Sequence, residues 1–110
     1  MVSIRPAAEA DLNRMKQIRM EALRGRATPL EPVSDPPVES VLARDESWVA
    51  VAEVDSALVG WGVAYLDEAP VLVVYLDPGP TRSAARRAII KDLEGIAATR
   101  GIEAVPAIIL

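Results

Sequence analysis

With 110 residues, 51% of them hydrophobic and 25% charged, the chain can build one modest core and reads as globular rather than disordered. A net charge of −4 argues against general nucleic-acid binding, which needs a basic surface. Without cysteine or histidine there is no disulfide framework, no thiolate nucleophile and no Ser-His-Asp triad, and the commonest transition-metal ligand is missing, so no metal is expected.

In chain order, residues 2–5 predict a short strand ended by Pro6. A helix opens at Glu9 or Asp11, with Leu12, Met15, Ile18, Ala22 and Leu23 at helical spacing, and stops at Gly25. Met15 on that stripe reads as core. Four prolines (Pro29, Pro32, Pro36, Pro37) make residues 28–37 a loop, and Pro37 suits the first turn of a short helix over 38–44. Residues 48–54 and 58–66 predict a hairpin turning at Asp55-Ser56. Gly60 and Gly62 in its second strand predict a bulge or a close backbone approach. A third strand follows over 71–76, then the turn Pro78-Gly79-Pro80. The next helix, over 81–99, carries Ala85, Ile89, Leu93 and Ile96 on one face and is stopped by Gly101. The last strand is predicted over 102–110, interrupted by Pro106. The whole is one mixed α/β domain, an α+β mixed sheet over residues 1–110. No segment has the apolar length of a signal peptide or a bilayer span, so a soluble, cytoplasmic protein is expected, without membrane partners.

Strand, tight turn and helix N-terminus in succession around Leu76 form a natural anion site, because the first backbone N–H groups of a helix have no internal partner and carry partial positive charge. Several local signatures share an order and spacing. They are Ile4-Arg5-Pro6-Ala7 with Ala10-Asp11-Leu12, then Trp48-Val49-Ala50-Val51-Ala52-Glu53, Leu58-Val59-Gly60-Trp61-Gly62, Leu76-Asp77-Pro78 and finally Ala97-Ala98-Thr99-Arg100-Gly101-Ile102. In that order they resemble the GNAT superfamily of acyl-CoA N-acyltransferases over nearly the whole chain. The resemblance implies a β-α-α-β-β-β-α-β order, shortened by the family's C-terminal helix and last two strands.

The resemblance also implies a backbone loop for the acyl-CoA pyrophosphate, R/Q-x-x-G-x-G/A in the family. Counted from Pro78, Thr81 falls on the R/Q position, Ala84 on the first glycine and Arg86 on the second; shifted by one to use Arg82, Ala85 and Arg87 fall there instead. The glycines that admit phosphate to the main chain are absent. Arg82, Arg86 and Arg87 either supply ionic contacts in their place or form a solvated basic face, salt-bridged to Asp77 or Asp92. If acyl-CoA binds, the resemblance points to Val74, Leu76, Arg82, Ala84, Arg86 and Arg87, with backbone groups of residues 74–76 aligning the pantetheine arm. The family's general base falls on Glu53 or Glu68, each otherwise a strand-end carboxylate. Its general-acid tyrosine has no counterpart, since Tyr65 and Tyr75 lie in other elements.

Ile108, Ile109 and Leu110 predict an unpaired apolar sheet edge, to be covered by another copy of the chain or a different protein. Trp48 and Trp61 are either core or interface anchors. The first functional expectation is therefore a non-catalytic module of this fold, assembling as a homo-oligomer or with other proteins. Such small proteins occur in phage genomes, so a virion location is included. The alternative is an N-acetyltransferase using acetyl-CoA on a small-molecule or protein amine.

Overall fold

The computed structural model describes residues 2–24, 47–66 and 70–110. Strand β1 (Ser3–Pro6) leads through a 3-10 turn (Glu9–Asp11) into helix α1 (Leu12–Arg24). Strands β2 (Ser47–Val54), β3 (Ala57–Tyr65) and β4 (Val71–Leu76) follow, then helix α2 (Arg82–Thr99) and strand β5 (Ala107–Ile109). The five strands form one sheet in chain order, the first four antiparallel neighbours and β5 parallel to β4. The proline-rich loop, the helix expected over 38–44 and Glu68 lie outside the described residues.

Strand alternation sorts the side chains onto two faces. Val49, Val51, Trp61, Val63, Val73 and Tyr75 meet Met15 and Ile18 of α1. Ala50, Ala52, Ala64, Leu72, Val74 and Leu76 meet Ala85, Ile89 and Leu93 of α2. Leu58 has the opposite parity from Trp61 and Val63 yet shares their face. The pairing explains it: Ala52 sits opposite Gly60 but Glu53 opposite Leu58, so Val59 is an extra residue bulged from β3 and the alternation changes phase there.

The two faces differ in bulk. Beneath α2 the sheet presents mainly small residues in β2 and β3, and the helix lies close on them. A Cβ on Gly62 would stand 2.6 Å from Ile89 Cγ2, and one on Gly60 2.9 Å from Leu76 Cδ2. The two glycines thus mark a close approach, beside a bulge at Val59. Beneath α1 the sheet is bulky. Trp61 is buried, stacks on Tyr75 with ring centroids 4.5 Å apart, and donates its indole N–H to the Met15 carbonyl at 3.0 Å. Trp61 is therefore core, whereas Trp48 is 38% exposed.

Helix α2 ends as its sequence anticipates. Gly101 takes φ +80°, its N–H reaches the Ala98 carbonyl, and the Ile102 N–H reaches Ala97, both at 3.0 Å. The last strand is shorter than expected: residues 102–106 are not strand, and only Ala107–Ile109 are assigned to β5. Pro106 has no N–H to donate, and its carbonyl, accepting from the Leu72 N–H at 2.9 Å, starts the ladder. On α2 itself the fully buried residue of the last turn is Ala97, with Ile96 only partly buried.

Candidate anion and acyl-CoA site

Strand β4 delivers the chain to the Pro78-Gly79-Pro80 turn, and α2 begins at Arg82. The Arg82 N–H is taken by the Gly79 carbonyl at 3.2 Å and that of Ala85 by Thr81 at 2.9 Å. Between them the Ser83 and Ala84 amides have no partner among the described residues. Thr81 makes no side-chain cap, and the first turn holds no acidic residue. Among the described residues nothing compensates the positive end of this helix.

Arg86 and Arg87 are exposed and Arg82 half-exposed. Ala84 is exposed as well, whereas Ala85 is the buried residue of this turn. The arginine at the second glycine position therefore points away from the core. Along the same helix Ser83, Arg86, Arg87, Ile90, Lys91 and Glu94 line an open groove of about 610 Å³. Three cations and one carboxylate on that surface suit an anion.

The carboxylates near the sheet are committed elsewhere. Glu53 is ion-paired with Arg5 of β1, which also grips Asp11 with two hydrogen bonds of 2.8 Å. Asp11 accepts in addition from the Ala8 N–H at 2.8 Å. The Arg5 hydrogen bonds hold the Asp11 carboxyl below its ordinary pKa, against the opposing effect of burial. The same contacts, Asp11 first and Glu53 second, push Arg5 further up. Asp77, expected beside the α2 arginines, is paired instead with Arg14 of α1, whose guanidinium also donates to the Leu58 carbonyl at 3.2 Å. Nothing local in the sequence signals a pairing 63 residues long.

The β4 backbone assigned to a pantetheine arm also has partners. The Leu110 N–H donates to the Val74 carbonyl at 2.8 Å, and the Leu76 N–H donates to the Leu110 carbonyl at 3.3 Å. The residues present thus fit the phosphates of an acyl-CoA by charge and by free amides. They do not fit its amide arm along β4 while Leu110 holds that edge.

The expectation of an uncovered apolar end is corrected at Leu110. Leu110 is 7% exposed and belongs to the α1-side core, with Ile108 packed against it, and Ile109 packs on the α2-side core. Alternation sends successive side chains to opposite faces, with Leu110 buried and Ile108 and Ile109 partly buried against the two clusters. What stays open at β5 is backbone. Residues 106 and 110 face β4, so the alternate positions Ala107 and Ile109 turn their amides outward.

No protein-family model matches the sequence, and no curated protein matches it. Solved structures do match. A ribosomal-protein-alanine N-acetyltransferase from Brucella melitensis biovar Abortus 2308 is 20% identical with a TM-score of 0.68, over 96% of this chain and 78% of that one. An acetyltransferase from Vibrio fischeri is 17% identical with a TM-score of 0.69, over 97% of this chain and 95% of that one. AAC(6')-Iy, in complex with the bisubstrate analogue CoA-S-monomethyl-acetylneamine, is 15% identical with a TM-score of 0.70, over 100% of this chain and 79% of that one. The chain has the GNAT acetyltransferase fold, as the resemblance implied. Likeness at this level of identity establishes fold and not activity.

Proposed function

We propose that this chain is an acyl-CoA-dependent N-acyltransferase, the alternative raised by the sequence. The observation that carries the reading is the uncapped start of α2, whose first turns hold two free amides and Arg82, Arg86 and Arg87, on a chain whose structural neighbours include N-acetyltransferases. In such a reaction an amine attacks the thioester carbonyl, the C–N bond forms, the C–S bond breaks, and the proton lost from the amine ends on the departing sulfur, which leaves as the free thiol of CoA. The role of this chain's residues is binding and orientation: the arginines neutralise phosphate, and the α2 amides donate hydrogen bonds to its oxygens. Glu53, tied to Arg5, is not poised to take the proton. The virion role has no support among these neighbours. A non-catalytic reading is favoured by one observation, the engagement of Val74 and Leu76 by Leu110.

Calorimetric titration with acetyl-CoA and CoA separates the two. Micromolar binding, weakened about ten-fold by Arg82→Ala or Arg86→Ala as a charge-assisted contact is lost, supports acyl-CoA use. Release of free thiol with an amine present then tests the transfer. Absence of binding at millimolar ligand rejects it and leaves the non-catalytic module.

A further inference from the structure

We propose that the flank of α2 beside β1 is a homodimer interface, on which a second copy of this chain seats the same flank. Such an interface is independent of acyl-CoA binding.

An open groove of about 540 Å³ runs between β1 and α2. Strand β1 contributes Ile4 to it, and α2 contributes Ala88, Gly95 and Ile96, with Lys91 and Asp92 midway along the helix. Ile4 and Ile96 are only half-buried there, so apolar surface remains to be covered. Only Lys91 is shared with the basic groove that starts at Ser83.

Two features of this flank find no use within the chain. Gly95 lies inside α2, outside the left-handed region, and a Cβ there would meet nothing within 4 Å. Glycine weakens a helix interior relative to alanine. Gly60 and Gly62 are required by the side chains packed on them; Gly95 has no such requirement among the described residues, and a bare backbone at the surface admits close approach by another helix. Asp92 is half-buried without an ion pair among the described residues, so the pairing with the α2 arginines that the sequence allowed is not made. Lys91 is exposed and equally without one. Consecutive residues of a helix do not face each other, so neither charge answers the other.

The arrangement is symmetric about the midpoint of that pair. Ala88 precedes Lys91 by three positions, and Gly95 follows Asp92 by three. A two-fold axis through the midpoint, perpendicular to α2, runs two copies of the helix antiparallel. Lys91 then meets Asp92 of the second copy, and Ala88 meets its Gly95, each contact occurring twice. The flank is complementary to itself in charge and in bulk, as an isologous contact requires. A wholly acidic or wholly basic partner would answer one of the two charges and leave the other unmet.

Sedimentation equilibrium or light scattering over a concentration series tests the interface. The mass should rise from the 11.8 kDa of one chain toward twice that value. Lys91→Glu or Asp92→Lys alone sets like charges together at both symmetric contacts and should weaken the dimer about ten-fold. Carrying both changes reverses the order of the charges and should restore the affinity, which a folding defect would not do. Gly95→Leu puts a good helix former where a Cβ has open space in the single chain. It should abolish the dimer without lowering the unfolding midpoint of dilute protein. The mass of one chain even at millimolar protein overturns the interface. So does a dimer that Gly95→Leu leaves intact, or one that the single reversals weaken and their combination fails to restore.

Discussion

At the residue scale the turn between β2 and β3 is the clearest site of stored backbone cost. Asp55 and Ser56 both have positive φ, 51° and 67°, and Val54 pairs with Ala57 across them. A two-residue hairpin turn of this kind matches the twist of its strands and demands left-handed backbone at both positions. Asp tolerates it better than Ser, and glycine tolerates it without steric cost. Ser56→Gly should therefore raise stability by about 1 kcal/mol, read as a higher midpoint in thermal or urea unfolding. An unchanged or lower midpoint would show that the turn is not strained. The sequence marked this turn by position, between two strand-like runs, although Asp-Ser is not the preferred pair.

At the scale of elements, the match between α2 and the sheet decides which face tolerates change. The side chains of Ile89 and Leu93 descend onto Gly62, where a methyl group would meet Ile89 Cγ2 at 2.6 Å and Leu93 Cδ1 at 3.1 Å. Ile89 is β-branched and stiff, so the helix must shift to admit the methyl. Gly62→Ala should cost about 1–3 kcal/mol by overpacking. Combination with Ile89→Leu, which lacks the Cγ2 methyl, should cost less than the sum of the single changes in a double-mutant cycle. Additivity would place the strain elsewhere. Gly95, on the exposed side of the same helix with nothing within 4 Å of a Cβ, offers the contrasting control. The stripe of Ala85, Ile89 and Leu93 was legible as a helical period. Gly60 and Gly62 signalled a bulge or a close approach beneath it, but that α2 is the element that comes close could not be read, because closeness between layers is a property of two elements and not of one.

At the scale of the whole molecule, Arg5 gathers the start of the chain into the sheet. It joins β1, the turn before α1 through Asp11, and β2 through Glu53. Asp11 has a lowered pKa in the folded state, so the unfolded chain binds its proton first as acid is added. The stabilisation is present above the ordinary carboxylate range and is lost as pH falls through the lowered folded value. Arg5, raised in the fold by the same contacts, stays charged throughout the acidic and neutral range, so the loss in acid follows the protonation of its carboxylate partner. Asp11→Asn should destabilise the fold by about 1 kcal/mol at neutral pH, a figure held down because the Arg5 side chain is 40% exposed. Urea unfolding from pH 7 down to pH 2 should show that difference closing in acid. A constant difference would mean that geometry and not charge is responsible. No helix among the described residues is long and apolar enough to cross a membrane.

The sequence by itself determined the order of the described elements, the core faces of α1 and α2, the Gly101 stop and the resemblance to acyl-CoA N-acyltransferases. These depend on local periodicity and turn chemistry, which act over a few residues. Only the tertiary structure decided how the candidate site stands. Asp77 went to Arg14 and not to the α2 arginines, Glu53 went to Arg5, and Leu110 turned from an apolar loose end into a core residue seated on the edge of β4. Each of these joins residues dozens of positions apart. Which groups meet is set by the packing of layers, and a one-dimensional pattern records what each residue can pair with but not which partner the fold brings near.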